Sequence, residues 1–464
     1  MRGCGGQRSM PAWLRNPGAR PGTDPADAID PEMLVLRFDR HRRSATAKDG
    51  RVPIGMVSWF GLHPTNIGMF NVDLSGDNKG WASFVTERER GAHAFVAAFA
   101  NAAAGDVSAN LAGGIPLGGA NNPADRDLSL LRRDIARMME AGQRQADHAR
   151  ALFDGPMQEV RGEIALAHSF VDMSAVVLPS GQRTWPAMLG VSFGAGSSED
   201  GFPRIVESVL PLGLGRLSLD SGIVEGIDAR MFHIRIGMAG LHLATVLAGG
   251  TAAVALLNGL ADPVLRSTVM ALAGKVAFGL RLGDPRFRPA DDARYSYHWE
   301  VPAFADPRTE AGQGDKPILF PVGEVRLRRT DRRSGAMDFI PCPMVPRVVP
   351  LQLVKIGQVV IAGVPGEFNA EAGLRLKERL RRAFGVAAQH YAVAGYANGY
   401  AGYVATEAEY AAQHYEGAST LYGPHTLEAY CHCFVRMAER MVDPTRPGLP
   451  PGSPDTPPTL HLRP

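Results

Sequence analysis

Disulfides are the first thing this sequence cannot build in number. Its 464 residues carry four cysteines, Cys4, Cys342, Cys431 and Cys433, too few and too unevenly spaced for a disulfide framework. An excess of charge is missing too. Lysine and arginine total 49, aspartate and glutamate 47, for a formal net charge of +2, so no global field recommends nucleic acid or an anionic membrane as a partner. The opening stretch MRGCGGQRSMPAWLRNPGARPG has no apolar run of the kind that directs secretion, which by itself predicts a cytoplasmic chain if expressed as given. No solenoid-length repeat is evident. What is present is ordinary globular usage, 45% hydrophobic and 21% charged, enough for a large core.

The local patterns predict a mixed α/β fold, with a central mixed sheet flanked by helices. MLVLRFD (33–39), IGMVSWFGL (54–62) and AFVAAFA (94–100) are short apolar runs bounded by turn signals, the pattern of buried strands. GWASFVTERERGAHA between the last two reads as a helix, giving strand, helix, strand. Residues 125–154 place apolar side chains at helical spacing with charge opposite, a long amphipathic helix. Strand character returns in EVRGEIALAHSFVDMSAVVL and twice in 348–368, followed by a crossover helix in AEAGLRLKERLRRAFG.

Three segments stand apart from the main body (31–442). Residues 1–30 read as an irregular lead-in, 203–285 as a helical Gly/Ala/Leu-rich insertion, and 443–464 as a Pro-rich disordered or extended tail. Within the insertion, 236–261 has no charged residue and is long enough in principle to span a bilayer. Its Gly, Ala and Thr content, with His242 and Asn258, makes insertion weak. A buried helical hairpin is the expectation, with peripheral membrane contact as the alternative.

Chemistry concentrates at the ends of the expected strands. His63 follows one and precedes Pro64, where neither sheet nor helix continues smoothly. A side chain there is held by a rigid scaffold yet reachable, which suits a metal ligand or a catalytic base, although a lone histidine at a sheet edge is more often structural. Ser108, with Asp106 and Gly105 just before it, is either a nucleophile in need of a base or metal, or a loop residue bonding its own backbone. Glu367 stands between a strand and a helix, where open α/β sheets bind ligands, or where a carboxylate simply favours a helix amino terminus. Five tyrosines crowd GYANGYAGYVATEAEYAAQHYEGAS, either a wall of phenol hydrogen-bonders or an aromatic packing cluster. Cys431-His432-Cys433 lies on an expected helix, where adjacent side chains diverge, so buried cysteines are expected rather than a metal site.

Together, WFGLHPTN with SGDNKGWAS, FVAAFANAAAGDVSANL, LGVSFGAGSSEDG, DKPILFPVG, VPGEF and HYEGASTLYGPHTLEAY resemble the neutral/alkaline, non-lysosomal ceramidase family, in the family's order across most of residues 30–440. The resemblance implies a zinc amidohydrolase that cleaves the N-acyl bond of ceramide to a fatty acid and a sphingoid base. It also implies a secreted or cell-surface setting. By position, His63, Glu367 and Tyr403 would be zinc ligands, Ser108 the essential serine, and Arg8 and Tyr415 the groups that hold the oxyanion. The polar loop with Asp77 and Asn78 would be the floor of the site. The family's His-x-His segment and its carboxyl-terminal β-sandwich have no counterpart in this sequence, so the catalytic domain is expected to be partial. Two other readings stay open: a ceramide-binding remnant without turnover, and a zinc amidase acting on another N-acyl lipid.

Overall fold

The computed structural model describes residues 4–41, 51–68, 71, 73–91, 94–110, 128–190, 192–193, 197, 295–300, 312–314, 316, 318–324, 326–341 and 343–449. The insertion expected at 203–285, including 236–261, lies outside the described residues, as does the tail beyond 449. Among the described residues no helix is long and apolar enough to cross a membrane.

Two mixed sheets carry the fold. The first has three strands, β1 (Leu34–His41), β2 (Arg51–Phe60) and β3 (Val96–Asn101). β1 runs antiparallel to β2, and β2 runs parallel to β3 through the crossover helix α1 (Asp77–Glu89). Helix α2 (Leu128–Asp154) packs beside α1. The second sheet has four strands, β4 (Ile164–Asp172), β5 (Val348–Ile356), β6 (Val359–Gly363) and β7 (His390–Ala394), in the order β7-β6-β5-β4. Here β6 and β7 are the parallel pair, joined by helix α3 (Ala370–Phe384). Helix α4 (Thr426–Val442) lies against α3. The expected mixed α/β architecture is therefore observed, divided between two principal sheets and several smaller ones. Element ends move by a few residues; α1 starts at Asp77, earlier than the apolar pattern suggests, and stops before Gly91 (φ 92°).

Strand alternation sets the layer order, because successive side chains point to opposite faces. Met56 and Phe60 of β2, with Ala97 and Phe99 of β3, pack against Ala82 of α1 and Ala146, Ala149 and Phe153 of α2. Their neighbours Val57 and Trp59 turn the other way and meet Val359, Ile361 and Ala392 of the second sheet. Val360 and Ala362 of β6 and Val393 of β7 then face Leu376 and Leu380 of α3 and Phe434 of α4. The result is helices, sheet, sheet, helices. Cys431 and Cys433 belong to the last apolar cluster, and burial pushes both thiols up to about 12, as inert helical cysteines require.

Both parallel pairs end near one another, and the chain just beyond them builds the site. Residues 6–7 of the lead-in pair antiparallel with Val107–Ser108, and Met10–Trp13 forms one short helical turn. Glu367–Phe368 pairs in parallel with Tyr403–Val404.

Candidate functional site

His63 lies three residues past β2. Its amide donates to the Val107 carbonyl at 3.0 Å, and its ring Nδ1 contacts the same oxygen at 3.2 Å. That leaves Nε2 directed at Glu367, 2.7 Å from Oε2. Both side chains are buried, 7% and 9% exposed. The polar loop after His63 is tied down from α1: Asn78 Nδ2 donates to the His63 carbonyl and to Asn66 Oδ1, while Asp77 accepts from the amides of Asn66 and Ile67. Asp77 and Asn78 thus anchor the backbone under His63.

Glu367 is the hub. Besides His63, it accepts from Tyr400 at Oε1 (2.5 Å) and from Tyr396 at Oε2 (3.0 Å), and its backbone pairs with that of Tyr403. Burial alone would raise its pKa, but hydrogen bonding to His63, its charge, and the tyrosine hydroxyls outweigh burial and hold the carboxyl at about 2. Burial, the same carboxylate and the surrounding phenols push Tyr396 and Tyr400 above the ordinary phenol range, so both remain O–H donors. Tyr403 is also raised, chiefly by burial.

Arg8 closes the other side. Its Nε donates to Glu416 Oε1 at 2.8 Å, and its Nη2 to the Gly105 carbonyl at 2.8 Å and the Tyr403 hydroxyl at 3.3 Å. Its guanidinium lies 5.9 Å from the Tyr403 ring centre and 5.6 Å from that of Tyr415. Tyr415 meets Tyr403 edge to face at 5.3 Å and stacks on Phe193. Ser108 is buried at the end of its short strand, where Oγ accepts from the Asn110 amide at 2.8 Å. It follows directly after Val107, the residue that orients His63.

The structure therefore brings Arg8, His63, Glu367, Tyr403 and Tyr415 into one connected cluster, with Ser108 on the strand that supports it. Sequence reading missed Tyr396, Tyr400 and Glu416 as individuals. The tyrosine crowding flagged the segment, but not which hydroxyls reach the carboxylate; Glu416, next to Tyr415, carried no separate signal. Beneath the cluster lies a second buried acidic group. Asp106 accepts from Gln7 Nε2 and the Ala370 amide, and Glu409 accepts from Asn16 and Asn369. Burial, with the charges of Glu409 and Glu416, pushes Asp106 up to about 8.

As donors for a metal, His63 Nε2, the Glu367 carboxylate and the Tyr403 phenol supply the nitrogen and oxygen types that zinc takes. The Nδ1 contact with a backbone carbonyl is the usual way of orienting a ligating imidazole. The residues fit that ion by type.

Comparison with known proteins gives a consistent result. The profile described as neutral/alkaline non-lysosomal ceramidase, N-terminal, matches residues 1–207 and 296–432. Neutral ceramidase from Pseudomonas aeruginosa is 30% identical over 94% of this chain and 49% of its own length. Neutral ceramidase A from Dictyostelium discoideum is 28% identical over 94% of this chain and 51% of its own. The chain thus spans about half the length of these relatives. Among solved structures, a ceramidase complexed with C2 superposes with a TM-score of 0.62 at 28% identity, covering 98% of this chain and 54% of that one. The crystal structure of the Pseudomonas aeruginosa neutral ceramidase gives 0.56 at 25% identity, covering 97% and 52%.

Proposed function

The chain belongs to the neutral/alkaline non-lysosomal ceramidase family, and on that premise we propose that it hydrolyses the N-acyl amide bond of ceramide, with zinc, to a fatty acid and a sphingoid base. The observation that carries this reading is the 2.7 Å approach of His63 Nε2 to Glu367 beyond the ends of the parallel strands, with Tyr403 and Arg8 against it.

His63, Glu367 and Tyr403 would hold the ion. Zinc, when bound, supplies Lewis acidity toward an amide carbonyl or an activated water. Arg8 is fixed against Glu416, so its positive charge stays beside the Tyr403 and Tyr415 rings, where charge developing on the carbonyl oxygen would be stabilised. Tyr415 would donate its hydroxyl to the same oxygen. Ser108 serves either as nucleophile, giving an acyl ester that water then opens, or as the group that positions the water. In both routes one water is consumed, the carboxylate leaves with the acyl chain, and the amine departs with the added proton.

A second reading is lipid binding without turnover, in which the 2.7 Å contact of His63 Nε2 with Glu367 is a closed hydrogen bond that holds the site together and no ion is taken up.

Fatty-acid release from ceramide by the purified chain, with zinc chelated and then restored, separates the two readings, with Ser108→Ala alongside. Zinc-dependent release abolished by that substitution supports hydrolysis. Ceramide binding by folded protein without release supports the second reading. A panel of other N-acyl lipids then tests substrate class.

A further inference from the structure

Of the side chains that reach Glu367, two have no part in the reading above. Tyr400 donates to one carboxylate oxygen at 2.5 Å and Tyr396 to the other at 3.0 Å. Their rings lie nearly parallel, 9° apart, with centres separated by 6.5 Å. Both residues remain partly open, 37% and 51% exposed, although both hydroxyls are turned inward.

The backbone is arranged to turn them inward. Tyr396 and Asn398 have φ of 58° and 56°, left-handed values that a bulky residue such as tyrosine rarely adopts. Four main-chain bonds hold this turn: the Gly395 amide to Asn101, Tyr396 to Gly366, Ala397 to Val364, and Ala401 to Pro365. Three of these acceptors lie in the four residues leading into Glu367. Asn398 is tied to Gln352 on the neighbouring strand. The tyrosines and the carboxylate are therefore two halves of one rigid unit, and an outwardly open pair is not explained by core packing.

We propose that Tyr396 and Tyr400 are positioning residues that clamp Glu367, one hydroxyl on each oxygen, and so fix the carboxylate orientation offered to a metal ion. The proposal rests on the reading of Glu367 as a zinc ligand. A carboxylate free to rotate presents its lone pairs in many directions; one held at both oxygens presents few, and pre-orientation of a ligand raises metal affinity.

The test is direct zinc affinity, measured by competition with a chromophoric chelator on the full chain. Tyr396→Phe and Tyr400→Phe each remove only a hydroxyl and keep the stacked ring. Tyr391→Phe, which removes a buried hydroxyl bonded to the Ala388 carbonyl away from the site, is the control. Each clamp variant is expected to weaken zinc binding by roughly 10–100-fold, as when a partner of a metal ligand is lost, with Tyr391→Phe unchanged. Wild-type zinc binding with unaltered affinity in both clamp variants overturns the clamp alone. Equal weakening in Tyr391→Phe assigns the effect to general loss of packing and also overturns it. A wild-type chain that takes up no zinc overturns the reading of Glu367 and the clamp with it.

Discussion

His63 and Glu367 are 304 residues apart in the chain, and their side chains meet at 2.7 Å. The contact exists because the two sheets pack face to face through Val57, Trp59, Val359 and Ala392 with both parallel pairs ending on the same side. Each residue follows a parallel strand closely, so aligning the strands aligns the residues. The first consequence concerns the metal.

Glu367→Gln keeps the shape of the side chain and removes its charge. Zinc retained per chain after gel filtration should fall, and ceramide hydrolysis should drop by more than the roughly 10–100-fold that follows loss of a group merely supporting a ligand. Unchanged zinc content would remove Glu367 from the donor set.

Arg8 and Glu416 form a buried pair, 4% and 2% exposed. Arg8→Met strands the Glu416 charge and should destabilise the fold by about 3–5 kcal/mol. Adding Glu416→Gln should restore part of that loss, since the uncompensated charge is then gone. Urea unfolding of the two variants provides the comparison, and a double variant no more stable than Arg8→Met contradicts it.

Asp106 sets a pH dependence of the opposite sense to an ordinary salt-bridged carboxylate. Its folded pKa, about 8, lies above the usual 3.8, so the folded chain holds a proton that the unfolded chain has released. The associated stability is fully present below 3.8 and declines as pH rises toward about 8. Asp106→Asn mimics the protonated form and should flatten the fall in urea midpoint between pH 5 and pH 8. An identical slope in both proteins would mean that Asp106 ionises normally.

Gly105 allows a close backbone approach behind the site. A Cβ there would stand 2.8 Å from the Glu367 carbonyl oxygen and 2.8 Å from Asn369 Oδ1. Gly105→Ala should cost about 1–3 kcal/mol through overpacking, seen as a lowered melting temperature, together with weaker zinc binding as Glu367 is displaced. A melting temperature equal to wild type would show that the loop yields without strain.

Much of the architecture is legible locally. Strands β1, β2 and β3, the amphipathic helix α2 and the strand pair before α3 follow from apolar periodicity, and their ends shift by only a few residues. The start of α1 at Asp77 was hidden, because its first turn is made by polar residues that serve the His63 loop rather than the core. In the same way the tyrosine-rich segment was visible as chemistry, while its division of labour was not. Tyr396 and Tyr400 reach Glu367, Tyr403 lies between Glu367 and Arg8, and Tyr410 instead bonds Gln313 in the core.

By itself, then, the sequence determined the alternation of strands and helices, the stop at His63-Pro64, the strand-to-helix place of Glu367, and the motif order that resembles one family. These depend on side-chain period, backbone restriction and short-range spacing, all carried within a few tens of residues. Which side chains share a site was decided only by the tertiary structure. Arg8 reaches Tyr403 and Glu416, and His63 reaches Glu367, because two separately formed sheets bury their inner faces against each other, and that burial is a property of the assembled layers.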